Sequence, residues 1–167
     1  MSSVRAEVYA TLYKNAVEVT VKTAESVPEA NYFRQAEEGK AHPLWLLGHM
    51  TMSLDMLTNH WTLGRDLEIP QSWAATFGPS EFGGKPITTN PEDYPSWDEV
   101  LAAYKKAGAT TVEGVAAVTD EQLEGYALGP QPEQFKEAFG ILNKSIPDNA
   151  VHNTHHRGQL SLLGGLS

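Results

Sequence analysis

PLWLLGHMTMSLDMLTNHWTLG, residues 43–64, decides the fold of this chain. Pro43 suits the first turn of a helix, where its fixed φ is already helical and its missing N–H has no intrahelical partner to lose. Gly64 suits the position just past a helix end. The stretch between them is too long and too apolar for a strand, so the spacing predicts one long buried helix.

Outward from that helix, three further long segments carry helical periodicity. The first runs from about Arg5 to Ser26, with Val8, Leu12, Ala16 and Val19 recurring at three- and four-residue steps as the expected buried face. Its β-branched cluster of Val17, Val19, Thr20 and Val21 is strand-like, but the length of the pattern favours helix. Ser26-Val-Pro-Glu29 resembles the opening of a short helical turn. Ser96-Trp-Asp-Glu99 is a capping box for the third long helix, and Thr119-Asp-Glu-Gln122 repeats it for a short one. Gly129-Pro130 and Pro132 break the chain before a helical turn or two over EQFKEAFGILN. The last helix is expected to begin near Pro147 and to run to the end. Residues 65–95 hold Pro70, Pro79, Pro86, Pro91 and Pro95 with three glycines. In a compact bundle so long a connection is a crossover or a lid over a site. The expected architecture is an all-α antiparallel four-helix bundle with short extra helices in the connections, in one domain over residues 1–167.

Bulk properties narrow the function classes. A formal net charge of −9 and a pI near 5.0 argue against nucleic acid, whose backbone demands a basic surface. No polybasic stretch or run of 18 apolar residues points to a membrane. The N-terminus lacks the apolar core of a secretory signal. Cysteine is absent, which excludes disulfides and a thiol nucleophile of the protein's own. A cytoplasmic location is the expectation that fits these features.

Chemistry concentrates in the histidines. Three of the six fall within VHNTHHRGQL, residues 151–160. His152 and His156 are four apart, so on a helix they lie about 40° apart around the axis and roughly 6 Å along it. Such a pair can present two imidazoles to one ion. Leu160 and Leu163 continue the stripe, which turns this face inward. His155, three residues from His152, is also within ligating reach. A third ligand must come from elsewhere, and His49 is the best candidate. It lies mid-helix on a face with Leu46, Met52, Ser53 and Met56, where an unpartnered imidazole costs on the order of 1–3 kcal/mol. Gly48 and Gly158, beside His49 and near His156, would admit close neighbours. His42 and His60 lie about 10 and 16 Å along the helix from His49, too far to share its ion. They are expected to be surface or capping residues. Arg157 is expected in a salt bridge or dimer contact, and Gln159 in packing or as an amide behind a ligand.

HPLWLLGHMTMSLDML followed about a hundred residues later by HNTHHRGQLSLL resembles the DinB/YfiT-like superfamily of metal-binding four-helix bundles. SWDEVLAAYKKAGATTVEGVAAVTDEQL and EQFKEAFGIL are similar to its third helix and the segment before its last. The resemblance covers nearly the whole chain. It implies one divalent metal ion held by His49, His152 and His156, and it selects His156 over His155. The chain departs from the pattern by stopping at GGLS, where related proteins often continue with basic residues.

Three neutral imidazoles leave a coordination position open, as in catalytic rather than closed structural sites. Imidazole suits several ions, with zinc or nickel the first expectation. Relatives include transferases and isomerases dependent on low-molecular-weight thiols, which implies a small-molecule thiol cosubstrate here; hydrolysis by a metal-bound water is the other enzymatic expectation. No general base can be named, since Asp55 lies about 240° around an α-helix from His49. The alternative is a non-catalytic stress-response bundle whose metal is structural. A homodimer through helix faces is common for bundles of this type and is the expected assembly.

Overall fold

Ser3 starts the first helix by accepting the N–H of Ala6, and the same hydroxyl donates to Asp120 at 2.6 Å. In this computed structural model, which describes residues 3–165, α1 spans Val4–Glu25. A short 3-10 turn over Glu29–Asn31 follows, led in by Pro28 as its sequence predicts. α2 spans Pro43–Met52, and the helix then continues through Thr62 with wider turns, such as Leu63 N–H donating to the Thr58 carbonyl five residues back. Gly64, at φ +69°, takes the left-handed position that ends it.

Residues 65–95 hold a five-residue helix, α3 (Trp73–Phe77), and two 3-10 turns. α4 (Trp97–Ala116) is capped by Ser96, which accepts from Glu99 N–H; only this half of the expected box forms. α5 (Asp120–Leu123) has both halves, Thr119 and Gln122 bonding each other's backbone N–H. α6 (Lys136–Phe139) precedes α7 (Leu142–Leu163).

α1, α2, α4 and α7 form the bundle. Antiparallel neighbours are α1 with α4, where Val17 meets Gly108, and α2 with α7, where Thr62 meets Ser145 and Ser53 meets His152. α1 runs parallel to α7, with Tyr9 on Asn143 and Asn31 on Gly164. α2 likewise runs parallel to α4, with Asn59 bonded to Ala107 and Thr111 and Arg65 to Glu113. A parallel α2–α4 pair requires the chain to travel the length of the bundle between them, so residues 65–95 are a crossover. Asp55 pins its start: the buried carboxylate accepts the N–H groups of Glu68 and Ile69, both at 3.0 Å. The core packs Tyr13, Tyr104, Phe77, Leu46, Leu47, Met50, Ile146 and Leu160. No helix among the described residues is long and apolar enough to cross a membrane.

Two further expectations fail here. The buried face of α1 is Ala6, Ala10, Tyr13, Thr20 and Ala24, while Val8, Leu12 and Val19 are 53%, 48% and 43% exposed. Both faces of α1 carry apolar spacing, and the close approach of α4 and α7 selects the side with small residues and the tyrosine. α7 begins five residues before Pro147, not at it. The proline removes one N–H and crowds the preceding turn. That turn is nevertheless held by the full burial of Leu142 and Ile146 and by Tyr13 Oη donating to the Ile146 carbonyl at 2.8 Å.

Candidate metal centre

His49 reaches the site from the last full α-helical turn of α2, and His152 and His156 from one face of α7. The three converge. His152 Nε2 lies 3.2 Å from His49 Nε2 and 3.1 Å from His156 Nε2. One nitrogen from each ring falls within 4.8 Å of the others, an arrangement able to hold a metal ion. Nitrogens sharing a tetrahedral ion at about 2.05 Å stand about 3.3 Å apart, close to these separations.

The outer ring nitrogens are all engaged. His49 Nδ1 lies 2.8 Å from the Phe77 carbonyl, which can only accept, so Nδ1 carries the proton and Nε2 a lone pair. His156 Nδ1 donates to Gln159 Oε1 at 2.7 Å, leaving its Nε2 a lone pair as well. His152 Nδ1 meets Ser53 Oγ at 3.1 Å. His152 Nε2 thus faces two lone pairs and has at most one proton to offer. A proton there satisfies one neighbour and leaves the other in repulsion, whereas a single cation satisfies all three. The donor set therefore fits a divalent ion, and the outer hydrogen bonds are those that orient ligating imidazoles.

Electrostatics agree. Burial lowers His49 to about 4, against the favourable Phe77 carbonyl. Burial, then the neighbouring His156 and His49, lower His152 to about 3. His156 is also lowered, chiefly by burial. All three are neutral at pH 7, the form in which imidazole ligates. His49 is only 5% exposed, while His152 and His156 are half-buried.

Local sequence explains the positioning. Gly48 admits the Phe77 ring: a Cβ there would lie 2.3 Å from it. That contact seats the end of α3 over α2 and aims the Phe77 carbonyl at His49. The Trp45 indole stacks on the His49 imidazole, centroids 4.8 Å apart and nearly parallel. Sequence reasoning missed Phe77, because a backbone carbonyl supplied from a crossover leaves no residue-type signal.

His155 is exposed and outside the cluster. His60 is partly exposed and donates from Nδ1 to the Arg65 carbonyl just past the helix end, at 2.7 Å. His42 does cap α2, accepting from Trp45 N–H, but it is fully buried rather than on the surface. Its Nε2 donates to the Thr88 carbonyl, so the crossover covers it, and burial lowers it to about 4. Arg157 forms no ion pair among the described residues, so of its two expected roles the salt bridge is not formed within the chain. Gly158 admits nothing, since a Cβ there would meet open space. Gln159 is the amide behind His156.

An all-helical bundle with a histidine trio set between its second and last long helices defines the class of this protein. The sequence profile of the DinB superfamily matches residues 12–160. The chain belongs to the DinB superfamily. No curated protein matches it significantly.

Proposed function

We propose that this protein is a metal-dependent enzyme in which His49, His152 and His156 hold one divalent ion, zinc or nickel, and a low-molecular-weight thiol is the cosubstrate. The observation that carries the reading is the convergence of three ring Nε2 atoms in a half-buried cluster, with those of His49 and His156 left a lone pair by their outer partners. Three protein ligands leave a position for a small molecule. A divalent ion bound there would lower the pKa of a thiol or water ligand toward neutrality. The chain has no cysteine, so sulfur chemistry requires a thiol from outside. A cytoplasmic setting, where such thiols are abundant, belongs to this reading.

The protein's own groups have defined parts. Phe77, Ser53 and Gln159 fix the imidazole orientations. Asp55 commits its Oδ2 to the crossover backbone. A second reading, a structural metal that ties α2 to α7, draws on the origin of the ligands in two helices. Metal-loaded protein incubated with cellular thiols and a chromogenic electrophile separates the two. Turnover above that of free metal supports the enzyme; its absence, with a metal-dependent gain in stability, supports the structural role. The exposed Val4, Val8 and Leu12 on α1 are the surface we assign to a homodimer, tested by light scattering of Leu12→Asp.

A further inference from the structure

A cavity of about 200 Å³ opens between the second half of the long helix and the crossover, lined by Met52, Met56, Leu67, Ile69, Pro70 and Ala74, with Gln71 its one polar side chain. No charged residue lines it. Two of its lining residues lie one helical turn from residues of the histidine site. Met52 stands one turn beyond His49 on the same helix, about 4.5 Å along the axis. Ala74 stands one turn before Phe77, whose carbonyl holds His49. The wall of the cavity and the support of the metal ligand are therefore the same two elements, α2 and α3. Asp55, between Met52 and Met56, holds Glu68 and Ile69 by their backbone and so fixes the opposite wall.

From this adjacency we infer that the cavity receives an uncharged aliphatic or aryl group of a small molecule whose polar head lies at the three histidines. The inference rests on the metal-site reading above and adds the substrate class. The wall chemistry excludes charged tails, because no counter-ion or sufficient set of hydrogen-bond partners awaits them. Two methionines supply an adaptable apolar surface that suits chains of differing shape. A cavity of about 150 Å³ accommodates benzene, so one of this size takes a group of about six carbons.

The test uses the cobalt-loaded protein and two ligand series, alkanethiols from ethanethiol to octanethiol and alkanoates from acetate to octanoate, followed by the cobalt absorption spectrum and by calorimetry. Affinity is expected to rise about fourfold per methylene up to about six carbons and then level off. Ala74→Leu, which fills the cavity, should remove the gain for the longer members, while a metal content of one ion per chain shows the site intact. Met56→Ala should move the plateau to longer chains. Heads that perturb the cobalt spectrum with no dependence on chain length would overturn this inference and leave the metal-site reading standing. If only the alkanoates bind, with the expected length dependence, the inference holds and the thiol assignment falls. If neither series binds, both are overturned.

Discussion

His49 Nδ1 donates to the carbonyl of Phe77 at 2.8 Å, joining the last turn of α2 to the end of α3 across 28 residues of sequence. This bond fixes the tautomer that leaves Nε2 toward His152 and His156. Phe77 can approach only because position 48 has no side chain. One glycine, one carbonyl and one imidazole thus form a chain from packing to chemistry.

Gly48→Ala tests that chain. The new methyl meets the buried Phe77 ring, so a loss of about 1–3 kcal/mol in stability is expected. Displacement of the carbonyl should also weaken metal binding by about 10–100-fold. Urea unfolding and metal titration measure the two effects; unchanged metal affinity would show that the Phe77 bond does not orient His49.

Ser53→Ala removes the partner of His152 Nδ1 with little change in packing. Metal affinity is expected to fall by about tenfold or more, and the metal-free protein, left with an unpartnered His152 Nδ1, to lose about 1–3 kcal/mol. Calorimetric titration with zinc reads the first quantity, and equal affinity for variant and wild type would contradict the role given to Ser53.

Metal-free protein should lose stability as pH falls below 6.5. Folded His42 and His49 take up protons only near pH 4, and His152 only near pH 3, because burial opposes their charge. The unfolded chain takes them up near 6.5, so between about 6.5 and 4 it binds more protons and is favoured. The limiting slope is about 1.4 kcal/mol per pH unit for each such group. Urea unfolding near pH 7 and near pH 5 gives the comparison; a flat or rising stability toward acid would refute the burial of these rings.

Gly158→Ala should stabilise the protein by about 1 kcal/mol. The position is exposed within α7, a Cβ there meets nothing, and alanine favours helix by that amount. A lower thermal midpoint would mean that the glycine serves a contact outside the described residues.

The helices and half of the site were legible in the sequence for physical reasons. Caps are local, so Ser96, Thr119, Pro43 and Gly64 announce their helix ends within a few residues. The i,i+4 spacing of His152 and His156 is also local, and the helix delivers both to one point. What failed depends on remote partners. The face of α1 was misassigned because alanines and a threonine, weak apolar signals, pack inward while valines and a leucine face out. His42 caps α2, one of its two expected roles, but its burial is invisible locally because its cover comes from Thr88, 46 residues on. Pro147 suggested a start for α7, yet burial of Leu142 and Ile146 carries the helix past it. The choice of His156 over His155 needed family likeness in the sequence, and only the structure puts one inward and the other outward.

The most direct measurement is the metal content of the purified protein after loading with zinc or nickel and removal of excess ion. The expected result is one ion per chain for wild type and for His155→Ala, and none retained by His49→Ala, His152→Ala or His156→Ala. Retention of one ion by any of those three variants, or its loss on His155→Ala alone, would contradict the trio formed by His49, His152 and His156.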